Sequence, residues 1–156
     1  MIKLIRIDDR LVHGQVAFTW TPAVSADCLV VANDKVAKDE FMKMTLNLAK
    51  PASAKLLIKS LEDTVTFLND LRSQPMKILV LINSVKDASV LADGVKEILS
   101  VNFGGIRTKE GAKLISKAVA VTDEDIVIIK EMLAKGIELE VRQVPTDKKV
   151  LIETLI

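Results

Sequence analysis

Short runs of apolar, largely β-branched residues recur along the chain, and most are followed by a stretch whose apolar positions repeat at helical spacing. The runs are Ile2 to Ile7, Cys28 to Ala32, Lys55 to Ile58, Lys77 to Ile82, Ile98 to Phe103, Ala118 to Val121 and Ile137 to Val141. Several are apolar without alternation, which suits strands covered by helices on both faces. Strand alternating with helix is the signature of βαβ units. The pattern predicts an α/β fold, a single-domain open twisted sheet, mainly parallel, of about seven strands with helices on both faces.

Between the runs, Phe41, Met44, Thr45 and Leu48 share one helical face, as do Leu61, Val65 and Leu68, and again Ile126, Ile129 and Leu133. All three stripes are expected to pack on the core. Thr122 is placed to cap a helix whose first turn carries Asp123, Glu124 and Asp125, complementing the helix dipole, and Gly136 is placed to end it. That acidic run reads as helix punctuation rather than as a metal site. At the end of the chain, Val150, Leu151 and Leu155 are expected to form a last docked helix.

Composition narrows the function. Lysine and arginine number 22 against 21 acidic residues in 156, so there is no chain-wide field to attract nucleic acid or an anionic membrane. No apolar stretch approaches the roughly 20 residues of a membrane-spanning helix, and the first residues lack the pattern of a signal peptide. A soluble, cytoplasmic protein is expected. The one cysteine, Cys28, lies in an apolar run and reads as a buried thiol.

In an open parallel α/β sheet, ligands collect beyond the carboxyl ends of the strands. The loop after the first run, Asp8-Asp9-Arg10-Leu11-Val12-His13-Gly14-Gln15, is the densest cluster of functional side chains; Asn33-Asp34, Asn83-Ser84 and Gly104-Gly105-Ile106-Arg107 follow later runs. It holds the only histidine, His13. A histidine side chain has a substantial neutral fraction at cellular pH, leaving a ring nitrogen free to attack phosphorus. The phosphoramidate so formed carries close to two negative charges and needs donors around it. Arg10 can supply a charge-assisted fork, and Gly14 and the residues after it can aim backbone N–H groups at the anion if a helix begins there.

The neighbours of His13 admit two uses. Asp8 can orient the imidazole or Arg10, or can close a tight turn by an ion pair; for Asp9 the ion pair is the better reading. Gln15 can donate to the phosphoryl group or sit in the first exposed turn of the helix. Leu11 and Phe18 are candidates for an apolar docking surface, although Phe18 can equally pack a helix on the sheet. Metal-dependent hydrolysis is disfavoured by one histidine and one cysteine at unsuitable spacing, and neither a phosphate-binding loop nor a dinucleotide turn follows the first run. A receiver-like domain phosphorylated on Asp8 or Asp9 meets the objection that its phosphoacceptor belongs after the third strand, where the chain reads Ile58-Lys59-Ser60. A non-catalytic α/β regulatory or interaction module stays open on the residues alone.

The stretch Arg6-Ile7-Asp8-Asp9-Arg10-Leu11-Val12-His13-Gly14-Gln15-Val16, with Trp20 after it, resembles the opening of the IIB domains of the mannose, fructose and sorbose family of the bacterial sugar phosphotransferase system. Likeness continues through Val30 to Asp39, Asn102-Phe103-Gly104-Gly105, Ser116 to Thr122 and Leu139 to Pro145, so that 1-156 is similar to one such IIB domain. The resemblance implies a protein-Nπ-phosphohistidine–sugar phosphotransferase component. In it, His13 accepts a phosphoryl group from the phosphorylated IIA domain, Arg10 steadies that group, and the group passes to a sugar held by the membrane-embedded IIC and IID components. It further implies no metal or organic cofactor, peripheral association with the membrane permease, and a possible homo-oligomer. Two departures are noted: the family often has two aspartates where this chain has Asn33-Asp34, and a residue smaller than Phe103 before the double glycine, so Phe103 is expected to reshape the rim of the site. The residues leave open which sugar is carried and which ring nitrogen of His13 reacts.

Overall fold

The apolar runs become strands. In the computed structural model, which describes residues 1–156, β1 (Ile2–Asp8) leads through a π-helical segment, Val16–Trp20, into an α-helical turn, Thr21–Ala23, together termed α1. Then come β2 (Cys28–Ala32), α2 (Glu40–Ala49), β3 (Lys55–Lys59), α3 (Leu61–Asn69), β4 (Ile78–Ile82), α4 (Val85–Gly94) and β5 (Ser100–Gly105). The remainder is β6 (Ala112–Leu114), β7 (Ala120–Thr122), α5 (Asp123–Ala134), β8 (Glu138–Val141) and β9 (Val150–Leu151). Seven strands form the main sheet in the order β3-β2-β4-β1-β5-β8-β9. All neighbours are parallel except β8 and β9.

β1 lies at the centre of the sheet, between β4 and β5, with β2 to β4 on one side of it and β5, β8 and β9 on the other. Helices α1 and α2 pack on one face through Val16, Trp20 and Leu46 against Leu29, Val31, Leu79 and Leu81. Helices α3, α4 and α5 pack on the other through Leu68, Leu91 and Ile129 against Ile5, Ile7, Val80 and Ile82. The loop after β1 therefore turns to one face while the loop after β4 turns to the other, opening a crevice at the carboxyl edge. Side chains along a strand alternate between faces. Ile5 and Ile7 enter the larger core, so Arg6 and Asp8 face α1.

Three expectations are corrected. The run Ala118 to Val121 does not join the main sheet; β7 pairs antiparallel with β6 in a separate two-stranded sheet, and β9 takes the seventh place. The end of the chain is not a helix. Val150 and Leu151 pair with Val141 and Glu140 on the edge of β8, followed by a short 3₁₀ turn at Ile152–Thr154. An open strand edge offers a ladder of backbone partners, which a helix of so few residues cannot match. On α2, the stripe of Phe41, Met44, Thr45 and Leu48 faces outward, with Phe41 74% and Leu48 84% exposed. The opposite stripe of Met42, Leu46 and Ala49 packs on the sheet. The helix carries apolar residues on two faces, and periodicity alone does not say which one meets the sheet.

Other signals were read correctly. Thr122 caps α5 in a reciprocal capping box with Asp125, and Gly136 takes the left-handed conformation, φ +83°, that ends it. Cys28 is buried, and burial pushes its thiol pKa up, away from the reactive thiolate.

Candidate functional site

The last residue of β1 organises the site. Asp8 is almost fully buried, and each of its oxygens is engaged. Oδ1 accepts from the backbone N–H of Arg10 at 3.1 Å. Oδ2 lies 2.8 Å from Nε2 of His13 and accepts from Nη2 of Arg6 at 3.3 Å. The chain reverses tightly between Asp8 and His13: the Leu11 N–H donates to the Asp8 carbonyl at 2.9 Å, and Leu11 holds φ +57°. A non-glycine residue in the left-handed region is unfavourable. Burying the Leu11 side chain, 4% exposed in the α1-side core, offsets that cost and anchors the loop. Leu11 is therefore not part of a docking surface.

Burial pushes the Asp8 carboxyl up, but the hydrogen bonds from His13 and from the Arg10 N–H, with the charges of His13 and Arg6, more than compensate; its pKa falls below the ordinary 3.8. Asp8 is thus an anion throughout the physiological range. A carboxylate only accepts, so Nε2 of His13 carries the proton and donates, and in the neutral ring the lone pair is on Nδ1.

Beneath Asp8 lies a polar row that the sequence did not announce. Arg6 is fully buried, and desolvation lowers its pKa although Asp8 and Glu140 oppose the shift. It stands in register with Asn102 on β5, which stands in register with Glu140 on β8. Nη1 of Arg6 donates to Oδ1 of Asn102 at 2.6 Å and to the Arg142 carbonyl at 3.0 Å, and Nη2 also donates to the Gln143 carbonyl at 3.0 Å. Asn102 Nδ2 donates onward to Glu140 at 3.0 Å, and Arg142 closes the row on the same carboxylate at 2.9 Å. The guanidinium groups of Arg6 and Arg142 each lie over the Trp20 ring, 5.0 and 5.2 Å from its centroid. Gly104 is where the backbone crosses this row. A Cβ there would stand 2.0 Å from Cζ of Arg6, so the first glycine of the pair makes room for the guanidinium.

The other candidates divide. His13 is partly buried, with its side chain 15% exposed, and Arg10 is 52% exposed, its Nε a distant 3.9 Å from Asp8. The Arg10 guanidinium is therefore free for an anion. The Ala17 N–H donates to the His13 carbonyl at 2.9 Å, so helical turns begin directly after the histidine. The backbone N–H groups of Gly14 and Gln15 are among the unpaired donors of that first turn. Asp9 bridges loops: its Oδ2 accepts from the backbone N–H and the Nε of Arg107, at 2.8 and 3.0 Å. Phe18 is exposed at 78%, one turn beyond Gly14.

Asn33 and Asp34 do structural work. Asn33 accepts from the Val36 N–H and Asp34 from the Leu61 N–H, at 2.9 and 2.8 Å. Phe103 is buried in the larger core and does not shape the rim. Beside the His13 loop runs a groove of about 690 Å³, with Arg10 and Gln15 on one wall and Gly104 to Thr108 on another. No group of three histidine, cysteine, aspartate or glutamate side chains is arranged to hold a metal ion.

A family model described as the PTS system sorbose subfamily IIB component matches residues 2–156. The chain belongs to that family. A probable phosphotransferase enzyme IIB component of Streptococcus pyogenes is 39% identical over 100% of this chain and 99% of its own length. The mannose-specific EIIAB component of Escherichia coli is 35% identical over 100% of this chain but only 48% of its own length. Among solved structures, the IIBSor domain of the sorbose permease from Klebsiella pneumoniae superposes with a TM-score of 0.92 at 32% identity, covering 97% of this chain and 93% of that one.

Membership accounts for the fold and for the sugar phosphotransferase system as its setting. The buried row beneath Asp8, the partner of this IIB chain's histidine, is what sequence reading missed. One signal was available: Arg6 and Glu140 are charged residues flanked on both sides by apolar residues within predicted strands, a placement that requires a partner.

Proposed function

We propose that this IIB chain is a phosphocarrier in which Nδ1 of His13 accepts a phosphoryl group from the phosphorylated IIA domain and passes it to a sugar during uptake through the IIC and IID membrane components. The observation that carries the reading is the 2.8 Å contact of His13 Nε2 with the ionised Asp8. It leaves Nδ1 as the nucleophile and holds the ring while the lone pair attacks phosphorus.

In the first step the N–P bond to Nδ1 forms as the bond to the donor breaks. In the second, a sugar hydroxyl oxygen attacks phosphorus, the N–P bond breaks, the hydroxyl proton passes to water, and neutral imidazole is regenerated. Phosphoryl transfer proceeds through a loose transition state in which catalysis is mostly positioning and charge stabilisation. Arg10 contributes the mobile cation, Gly14 and Gln15 the backbone donors, and Asp8 the orientation. No step requires a metal or organic cofactor. Residues 1–156 act as one IIB domain of the mannose/sorbose type, cytoplasmic and peripheral to the permease. No helix is long and apolar enough to cross a membrane.

The test is intact-mass analysis of wild type and His13→Ala after incubation with a phosphorylated IIA partner. The expected result is a gain of one phosphoryl group, acid-labile and base-stable, in wild type alone. No gain from a demonstrably charged donor would sink the reading, and a base-labile adduct retained in His13→Ala would transfer the role to an aspartate.

A further inference from the structure

The groove beside His13 is larger than a phosphoryl group requires. At about 690 Å³ it falls in the range of roughly 300–1,000 Å³ typical of small-molecule sites. Beside one carboxylate, Asp9, which Arg107 holds at 3.0 Å, its lining has three chemistries. Arg10, Arg107 and Lys117 bring cationic side chains; Arg107 is partly committed to Asp9 at 3.0 Å, whereas Lys117 is in no ion pair. Gln15, Thr108 and Gln143 bring amide and hydroxyl groups, while Ile106, Leu114 and Ala118 give an apolar part. Gly104 and Gly105 leave the backbone open, and Gly105 faces the Asp8 carboxylate, 3.6 Å from where its Cβ would be. The groove therefore adjoins the carboxylate that holds His13.

A sugar ring has a hydroxyl-bearing edge and a C–H face, and its phosphate ester needs cations. That combination matches the three kinds of lining, whereas inorganic phosphate would use only the cations. We propose, resting on the phosphocarrier reading, that this groove is a binding subsite for a sugar phosphate. Its phosphate lies toward Arg10 at the His13 end, and its ring lies along Gln15, Thr108 and Gln143 with Lys117 adding charge. Released product then occupies the uncharged carrier and competes with the phosphorylated donor.

The experiment titrates ¹⁵N-labelled wild type, His13→Ala and Lys117→Ala with mannose 6-phosphate, fructose 1-phosphate, free mannose and inorganic phosphate, following amide shifts. At least one sugar phosphate should shift amides between Gly104 and Lys117 and bind about tenfold tighter than free mannose or phosphate. Lys117→Ala should weaken that binding by about tenfold, the effect of one lost charge-assisted contact. Binding should persist in His13→Ala, which offers no nucleophile, so the subsite stands or falls separately from His13 charging. Equal affinity for inorganic phosphate would reduce the groove to an anion seat and overturn the proposal. So would unchanged binding in Lys117→Ala, or no groove shifts with either sugar phosphate.

Discussion

Nε2 of His13 stands 2.8 Å from Oδ2 of Asp8, and in the proposed phosphocarrier that contact decides which nitrogen of the ring reacts. The two are five positions apart in sequence, and the tight turn through Leu11 brings them together. Asp8 is itself held ionised by the hydrogen bonds from His13 and from the Arg10 N–H, with the charges of His13 and Arg6 adding to them.

Asp8→Asn removes the charge but keeps the shape. An amide can present either oxygen or N–H to Nε2, so the preference for the Nδ1 lone pair is lost. In the serine-protease triad the corresponding change costs about 10⁴ in kcat through the wrong tautomer. Charging of His13 by the donor should slow by about 10²- to 10⁴-fold, by analogy with that triad. Quenched intact-mass kinetics measures the rate, and ¹⁵N shifts of the ring report the tautomer. A wild-type rate with a wild-type tautomer would remove Asp8 from the mechanism.

The same carboxylate sets a pH dependence of stability. Its folded pKa is depressed below 3.8, so the unfolded chain binds the proton more tightly than the folded one. The stability contributed is complete above the unfolded value and is lost as pH falls through the folded one. Urea unfolding from pH 7 down to about pH 2 should show the gap between wild type and Asp8→Asn narrowing below about pH 4. A gap constant across that range would mean that Asp8 makes no ionisation-dependent contribution to the fold.

Gly104→Ala tests the buried row. The new methyl would fall 2.0 Å from Cζ of Arg6, far inside van der Waals contact, and four hydrogen bonds pin that guanidinium in place. Overpacking typically costs about 1–3 kcal/mol, and breaking a buried ion pair about 3–5 kcal/mol. The variant should lie at or above the upper end of the first range by denaturant unfolding. Gly105→Ala, whose Cβ would meet only ordinary contacts, should cost clearly less. Equal losses would show that Arg6 moves aside freely.

What the sequence revealed and what it concealed follow from distance along the chain. Strands were legible because an apolar run is local, and the His13 loop was legible because Asp8, Arg10 and His13 lie within six residues. The row beneath them was not, because Arg6 and Asn102 are 96 residues apart, and Asn102 and Glu140 are 38 apart. They meet only through a strand order that composition does not encode. Helix α2 failed differently: its stripes Phe41/Met44/Leu48 and Met42/Leu46/Ala49 are both apolar, so the pattern was present twice and the sheet chose between them.

Arg10→Ala should separate chemistry from folding. The side chain is half exposed and makes only a long approach to Asp8, so stability should change by no more than about 0.5 kcal/mol. In the proposed mechanism its guanidinium is the mobile cation beside the transferred group, and an arginine so placed is worth about 10³ to 10⁵ in rate in nucleotide hydrolases. Transfer from the donor to the variant should slow severely while its thermal unfolding stays near wild type. Wild-type transfer would leave the charge to the backbone donors alone.

Phe18→Ser addresses docking. The ring is 78% exposed and lies close to Gly14, 3.9 Å from where a Cβ would be, on the turn that follows His13. A carrier that meets donor and acceptor through one loop needs apolar surface there that is covered only transiently. Covering a phenylalanine is worth about 1.5–3 kcal/mol when complete, so partial cover by the donor should make Phe18→Ser raise the donor KM by about tenfold. Phe18 takes no part in the bonds made and broken in the proposed transfer, so the rate at saturating donor should hold, as should the unfolding temperature. A fall in the saturated rate with an unchanged KM would assign Phe18 to the reaction step instead of to the encounter.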